Sequence, residues 1–402
     1  MTHHIHAPIP DASQPINLTG PSRIALIVGA VGFAVFLIGW FVNVTTFYQA
    51  YLMAFFFWLN MSLGCLALIM IQHLTGGAWG LTIRRTAEAG IRTLPMMAAL
   101  FVPLALFGVH RLYEWADPAI AASDHVIRHK APWLNVTGWQ IRAVIYFALW
   151  IGAATLLVRA SRRQDATGDP TARRTYTRVS AVGGILYFFS MTLASVDWGM
   201  SLDAHWFSTM YGVIFIIGQA LGAMALLLFT LILLSRYEPL KTLFRVDAMH
   251  DLGKLMLAFT MLWAYVSFSQ YLIVYSANLK EEIPYYIRRG HGGWEYLSVA
   301  LIALNFFLPF AVLLSRTIKR TRSLLLWVAA LVVALRFLDI FWTLAPSMRG
   351  DSMAAAVSWM DFAGLMAIGG LWVAMFLRNL STTALLPFRD PKFEEAIVHG
   401  GH

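Results

Sequence analysis

A short polar segment between two apolar runs holds the residues best placed to do chemistry. In SVDWGMSLDAHW, residues 195–206, two carboxylates and one imidazole lie close together: Asp197, Asp203 and His205. Asp197 falls about one turn inside the end of an apolar run, where a charged group in lipid must be compensated. A buried carboxyl whose pKa is raised can take up and release a proton near neutral pH. The segment therefore indicates either proton transfer or a polar elbow that only joins two helices.

Further polar residues inside the apolar runs extend a candidate proton path. Asp339 and Asp361 fall in the same half of the membrane as Asp197, whereas His73 and Glu88 mark the opposite face. The complete set of candidates is Asp197, Asp339, Arg336, Asp361, Gln270, Gln219, Tyr187, Ser190, Ser267, His73 and Glu88. Hydroxyls and amides at helical spacing also join helices, and Arg336 three residues before Asp339 would neutralise it. A proton relay, a purely structural role and direct ligand binding all stay open, and no catalytic residue is predicted.

The composition requires a membrane protein. Hydrophobic residues make up 59% of the 402-residue chain and charged residues only 13%, about half the charged fraction of a soluble domain. A membrane-spanning helix needs about 20 apolar residues. Ten runs meet this length, at 22–43, 48–72, 92–112, 139–160, 177–200, 206–235, 252–277, 294–315, 321–345 and 355–378. The sequence thus predicts an all-α, multi-pass integral membrane protein.

The distribution of charge predicts the orientation of these spans. The net charge is +9, and most of the 30 Lys and Arg residues flank alternate loops, such as residues 159–178. Cytoplasmic loops carry such an excess of basic residues. We therefore expect both termini in the cytoplasm, the elbow on the outer side, and basic loops that contact lipid headgroups rather than nucleic acid.

The residues that bind redox cofactors are scarce. Cys65 is the single cysteine, which excludes iron-sulfur ligation and covalent haem attachment within this chain. A transmembrane haem needs axial histidines at a common depth, but His73 and His110 fall at opposite ends of their spans. The sequence predicts a chain without its own cofactor or metal site.

Three segments carry a resemblance to a known family. They are YLMAFFFWLNMSLGCLALIMIQHLTGGAWG, SVDWGMSLDAHWFSTMYG and YLIVYSANLKEEIPYYIRRGHGGW. The sequence resembles, over residues 22–380, the ActF-type membrane subunit of bacterial alternative complex III, a member of the NrfD or polysulfide-reductase membrane-subunit superfamily. Ala204 stands where many relatives have proline. The resemblance places Asp197, Asp203 and His205 at the family's outer polar elbow and carries over no catalytic role for them.

The resemblance implies two four-helix bundles flanked by two peripheral helices. The expected divisions are a cytoplasmic arm at 1–21, peripheral helix 1 at 22–47, bundles at 48–200 and 201–346, peripheral helix 10 at 347–380 and a cytoplasmic tail at 381–402.

It also implies a place in the bacterial inner membrane, in a respiratory or photosynthetic quinol:electron-acceptor oxidoreductase. The expected partners are a sister NrfD-like membrane subunit that oxidises quinol, a periplasmic iron-sulfur protein, cytochrome c subunits and small membrane subunits. Haem c and iron-sulfur clusters would lie in these partners. This chain would supply a scaffold and a proton-translocation path.

Two other functional classes fit the composition. A secondary transporter binds its substrate near the midplane, at helices that are interrupted by Gly or Pro. Pro309 is the main interruption of this kind. A purely structural membrane anchor would need no path at all.

Overall fold

The computed structural model describes residues 15–77, 79–168 and 171–390, and this part of the chain is helical, without strands. Ten helices are long and apolar enough to cross a membrane, which confirms the predicted all-α fold. They are α1 (Thr19–Val42), α2 (Val44–Thr75), α3 (Trp79–Leu112), α4 (Val136–Thr167), α5 (Ala172–Leu202), α6 (Tyr211–Leu234), α7 (Val246–Ala277), α8 (Trp294–Leu314), α9 (Arg322–Arg349) and α10 (Trp359–Leu380). Residues 1–14 of the predicted arm and 391–402 of the predicted tail lie outside the described residues.

Helices α2 and α6 form the centre of the structure. Of their most apolar segments, 89% and 78% are buried, more than in any other span. They pack against each other, α2 also against α3, α5, α9 and α10, and α6 also against α5, α7 and α9. A Cβ on Gly64 would lie 2.1 Å from the backbone oxygen of Gln219, so only glycine allows this approach. Gly64 thus sets the distance between α2 and α6. We call this contact the seam, because it joins the first half of the molecule (α1–α5) to the second half (α6–α10).

Helix α1 is attached to the rest through α10. Its buried residues are Gly29, Gly32, Phe36 and Gly39, which follow one stripe of the helix. A Cβ on Gly370 of α10 would lie 2.2 Å from the Cα of Gly29, so the two backbones are in contact. The remainder of α1 is exposed, as expected for a helix with lipid on several sides.

Two spans contain π-helical segments next to proline. In α3 the segment Leu104–Gly108 follows Pro103 directly, and in α8 the segment Ile302–Phe307 lies shortly before Pro309. Proline lacks the backbone N–H and clashes with the preceding turn. The neighbouring backbone hydrogen bonds therefore change from i→i+4 to i→i+5 spacing, which is π-helical. Of these two interruptions, only the one at Pro309 was predicted from the sequence.

Most helix starts differ from the predicted ones by a few residues, and two of these differences concern candidate path residues. α3 begins at Trp79 rather than at residue 92, so Arg84 and Glu88 lie within the helix. Their charges lower the local hydropathy, but they pair with each other inside the protein. α10 begins at Trp359, which places Asp361 in its first turn, where it accepts the backbone N–H of Ser358 at 3.0 Å.

A short helix follows α7 at Pro284–Arg288. Gly292 and Gly293 follow it with φ values of 67° and 98°, the left-handed region that favours glycine. A Cβ on Gly292 would also lie 1.8 Å from the backbone oxygen of Asp351. This turn therefore fixes the Pro284–Arg288 helix over the ends of α7, α8 and α9.

Candidate functional site

Asp197, the central residue of the polar elbow, is completely buried and bound by four donors. Arg142 of α4 donates from Nε to Oδ2 at 2.7 Å and from Nη2 to Oδ1 at 2.9 Å. Tyr146, one turn further along α4, donates its hydroxyl to Oδ2 at 2.8 Å, and the indole N–H of Trp133 donates to Oδ1 at 2.8 Å. Such charge-assisted, bidentate contacts are short and fix the geometry of the carboxylate. We call these four residues the Asp197 site.

The other two elbow residues are held by the loops on the same side of the molecule. Arg288 donates to Asp203 at 3.1 Å, and the Nε2 of His205 lies 2.9 Å from a carboxylate oxygen of Asp124. Asp124 caps a short helix, and the backbone N–H of Ile127 is the main cause that lowers the pKa of Asp124. The elbow is therefore a folded cap rather than a loose turn.

Arg336 and Asp339 form a buried ion pair on α9, as their spacing predicted. The Arg336 guanidinium also lies 5.2 Å from the ring centroid of Trp263 on α7. A Cβ on Gly218 of α6 would lie 3.2 Å from its Nη2, so the glycine makes room for the charged group. The Nη1 atom of Arg336 has no hydrogen-bond partner among the described residues.

Asp361 binds a third arginine. Arg349, at the end of α9, donates from Nη1 and Nη2 to the two oxygens of Asp361, each at 2.7 Å. Its Nε donates to the side-chain oxygen of Gln49 on α2 at 3.1 Å. This contact joins α2, α9 and α10 at one point.

Two of the candidate path residues meet at the seam between the two halves. The Tyr187 hydroxyl of α5 donates to the side-chain oxygen of Gln219 on α6, and the Gln219 amide donates to Asn60 of α2 at 2.8 Å. Ser190 instead accepts the indole N–H of Trp150 at 2.9 Å. Neutral polar groups thus connect α2, α5 and α6 in the interior.

His73 and Glu88 belong to one cluster at the opposite end of the bundle. Glu88 accepts from Arg84 at 3.3 Å and from Arg85 at 2.8 Å. The Arg84 guanidinium lies 4.4 Å from the ring centroid of Tyr176, and His73 stacks on that ring at 4.7 Å. His73 and Glu88, the two candidates predicted at the opposite face, are therefore near each other and are connected through Arg84 and Tyr176.

The three buried aspartates do not share hydrogen bonds. Asp197, Asp339 and Asp361 are all buried, but within the described ranges each forms its ion pair with a different arginine. A single polar interior that contains all three stays a prediction.

Arg142 and Arg349 were not among the site residues predicted from the sequence. Arg142 and Tyr146 stand four residues apart in an apolar run, which is a usable signal, whereas Arg349 pairs across a loop and gives none.

A cavity of ≈ 880 Å³ lies between α7, α8 and α9, beneath the Pro284–Arg288 helix. We call it the α7–α9 cavity. Three candidate path residues line it: Gln270, Ser267 and Asp339. Trp263 also lines it, but the indole nitrogen of Trp263 and the side-chain oxygen of Gln270 are themselves buried and have no hydrogen-bond partner in the described part of the chain. The remaining walls are mainly aromatic and aliphatic.

Groups that could hold a metal ion are absent from residues 15–77, 79–168 and 171–390: no three His, Cys, Asp or Glu side chains are suitably placed. Cys65 is a free, buried thiol. A Cβ on Gly90 would lie 2.6 Å from its sulfur, so the thiol is enclosed by the contact of α2 with α3.

No model of a known protein family matches the sequence, and no curated protein is significantly similar to it. The molecule is a multi-pass membrane protein, with ten candidate spans among the residues that the structure describes.

Proposed function

We propose that this chain is an integral membrane subunit of an alternative-complex-III-type quinol:electron-acceptor oxidoreductase in a bacterial cytoplasmic membrane. The resemblance of its three long segments to the ActF-type subunit supports this assignment. In the proposal both termini are cytoplasmic and the chain acts first as a scaffold. The observation that carries the scaffold role is that each deeply buried aspartate is bound by an arginine.

Among the interhelical ion pairs, two that involve the buried aspartates connect five helices. Arg142 with Asp197 joins α4 to α5, and Arg349 with Asp361 joins α9 to α10 and, through Gln49, to α2. Removing one partner of a buried pair costs about 3 to 5 kcal/mol, because the other charge is left uncompensated. A frame held in this way suits a subunit on which other subunits assemble.

The proposed partners are a sister NrfD-like membrane subunit, an iron-sulfur protein, cytochrome c subunits and small membrane subunits. In this proposal the partners hold haem c and the iron-sulfur clusters, and the sister subunit oxidises quinol. The folded cap around Asp203 and His205 supports docking, because its ion pairs give that face a defined shape.

Purification in a mild detergent tests this proposal. The tagged chain, extracted from its native membrane, should elute with haem-staining polypeptides and a second ten-helix subunit. Extraction in a harsh detergent that separates subunits is the control, and it should release the chain alone. Elution of the chain alone, or as a homo-oligomer, in the mild detergent would contradict the proposal.

We further propose that protons cross part of this subunit. The contact of Tyr187 with Gln219 and Asn60 supports a polar route at the seam. Asp197→Asn should destabilise the chain, because Arg142 loses its counter-charge. In the fraction that still assembles and is reconstituted into proteoliposomes, it should also lower the number of protons released per quinol. Asp203→Asn, at the partly exposed end of the same elbow, is the matched control. An unchanged stoichiometry in Asp197→Asn would leave the chain with the scaffold role only.

A secondary transporter is the second candidate, and one observation favours it. The π-helical segments beside Pro103 and Pro309 interrupt one span in each half of the chain. Interrupted helices are where transporters bind substrates. The mild-detergent purification separates the two candidates, because a transporter needs no haem-containing partner.

A further inference from the structure

We propose that a basic patch, at the end of the molecule opposite the elbow, binds the phosphate head group of an anionic phospholipid. The patch lies where the first turns of α7 and α9 meet the short helix that follows α8, Arg316–Arg320. Its members are His250, Lys254, Lys319, Arg320 and Arg322. This inference concerns the chain itself and does not depend on the proposed complex.

Two contacts hold the first turns of α7 and α9 together. Arg322, the first residue of α9, donates from Nη2 to the backbone oxygen of Phe244 at 3.3 Å, two residues before α7 begins. Arg320 donates to the carboxylate of Asp247, in the first turn of α7, at 2.8 Å. The two helices therefore present their N-terminal ends side by side.

Neither of these helix ends is capped by the residue that precedes it. Arg245 before α7 and Thr321 before α9 make no capping hydrogen bond with their side chains. The first N–H groups of a helix have no partner within the helix, and they give that end a partial positive charge. Such ends bind phosphate groups, so two of them beside each other favour an anionic ligand.

Lys319 supplies a cation to which the described part of the chain offers no counter-charge. It is 7% exposed, and its stem packs on α7, where a Cβ on Gly253 would lie 3.0 Å from the Cγ of Lys319. Among the residues that the structure describes, its ammonium group donates no hydrogen bond and forms no ion pair. A buried cation without a partner is unfavourable, so an anion that reaches this group gains free energy.

The rest of the patch adds positive charge around Lys319. Lys254, Lys319 and Arg320 all lie within electrostatic range of His250. Lys254 and Arg320 each pair with a carboxylate of α7, at 2.9 and 2.8 Å. Lys319 and Arg322 have no such ion pair in the described ranges, so the patch keeps two uncompensated cations.

Apolar side chains beside the patch favour a lipid over a soluble phosphate. α7 has 32 residues and is about 48 Å long, so it exceeds the hydrocarbon core of about 30 Å, and its charged first turns lie at the level of the head groups. Leu314 at the end of α8, and Leu324 and Trp327 at the start of α9, are exposed. Tryptophan is enriched at membrane interfaces. The acyl chains of a bound phospholipid would lie on these side chains.

Lipid binding to the full-length chain, purified in detergent and delipidated, tests the inference. The probe is dioleoylphosphatidylglycerol. The comparison lipid is dioleoylphosphatidylcholine, which has the same phosphate and tails but no net charge. Native mass spectrometry counts the bound lipids at each concentration. The tightest site for phosphatidylglycerol should be saturable and should prefer it to phosphatidylcholine about tenfold.

Lys319→Met removes the ammonium group and keeps an apolar stem on Gly253. Because this lysine has no ion pair to lose, the variant should fold, and it should bind phosphatidylglycerol about tenfold more weakly than the wild type. Lys280→Met, at an exposed position beyond the opposite end of α7, is the matched control and should leave the affinity unchanged.

A charge-reversal variant provides a second readout. Lys319→Glu places a carboxylate near Lys254 and Arg320, where the phosphate group would otherwise lie. It should therefore abolish the preference for phosphatidylglycerol over phosphatidylcholine. Size-exclusion profiles and thermal unfolding identify any variant that fails to fold.

Inorganic phosphate, added at the concentration of the lipid, separates a lipid site from a site for soluble phosphate. It should not displace phosphatidylglycerol, because the acyl chains also contribute to binding. Three results would overturn the inference. They are equal affinities for the two lipids, a folded Lys319→Met variant with wild-type affinity, and displacement of phosphatidylglycerol by inorganic phosphate.

Discussion

The two halves of the molecule treat their buried polar groups in opposite ways. In the first half, the Asp197 carboxylate accepts four hydrogen bonds from α4 and the adjacent loop. In the second half, the Gln270 oxygen and the Trp263 nitrogen are buried without hydrogen-bond partners in the described structure, on two residues that line the α7–α9 cavity. A buried polar group of this molecule is thus either completed by the protein or left without a partner.

The packing of neighbouring helices explains the difference. α4 packs against α5, and Arg142 and Tyr146 reach Asp197 across their contact. α7 instead contacts the second half of α8, and the π-helical segment Ile302–Phe307 lies where α8 changes neighbours. In the first half, the close packing of α4 on α5 supplies the donors to Asp197. In the second half, the divergence of α7 from the first half of α8 leaves space for the cavity.

The largest expected effect is from Arg142→Met, which removes the cation but keeps much of the apolar stem. Asp197 is then buried without its counter-charge, and we expect a loss of about 3 to 5 kcal/mol in unfolding free energy. Reversible unfolding in mixed micelles measures it. Arg128→Met, at an exposed position in the preceding loop, is the control and should be nearly neutral. A stable Arg142→Met protein would contradict the description of a completed site.

Tyr146→Phe should have an intermediate effect. It deletes one donor to the Asp197 carboxylate and leaves the arginine in place. Hydrogen bonds to charged groups contribute about 1.5 to 3 kcal/mol, so the loss should be smaller than in Arg142→Met. The same unfolding measurement applies, with the exposed Tyr265→Phe as control. Equal losses in Tyr146→Phe and Arg142→Met would mean that the site does not depend on the charge of the arginine.

The smallest effect on stability is expected for Gln270→Leu. Its side-chain oxygen has no partner in the described part of the chain, and its only side-chain hydrogen bond there is with Tyr286. An apolar replacement should therefore change the unfolding free energy by less than about 1 kcal/mol. Gln219→Leu is the matched contrast, since it leaves Tyr187 and Asn60 without their amide and should destabilise. If Gln270→Leu destabilised as much as Gln219→Leu, the contrast between the two halves would be wrong.

Local patterns predicted much of this structure. The ten apolar runs correspond to the ten helices, because the length and hydropathy of a span are properties of one segment. The Arg336–Asp339 pair was predictable for the same reason, since three positions on a helix bring side chains together.

Contacts between distant segments were not predictable in this way. Arg142 and Asp197 lie on different helices, and Arg349 reaches Asp361 across a loop. The α7–α9 cavity depends on how two helices diverge, which no single run of residues encodes. The predicted start of α3 was too late, because the charged residues Arg84 and Glu88 indicated the polar end of a membrane span. In the structure each neutralises the other inside the protein.

The pairing of α1 with α10 has a consequence for biosynthesis. The stripe of Gly29, Gly32 and Phe36 finds its main partner in the last span of the chain, with Gly29 against Gly370. During translation the first helix therefore enters the bilayer long before the surface it fits has left the ribosome. We expect α1, the first span to be synthesised, to dock on α10, the last, as a late step of assembly. A nascent chain arrested before α10 should therefore keep α1 accessible to crosslinking from lipid.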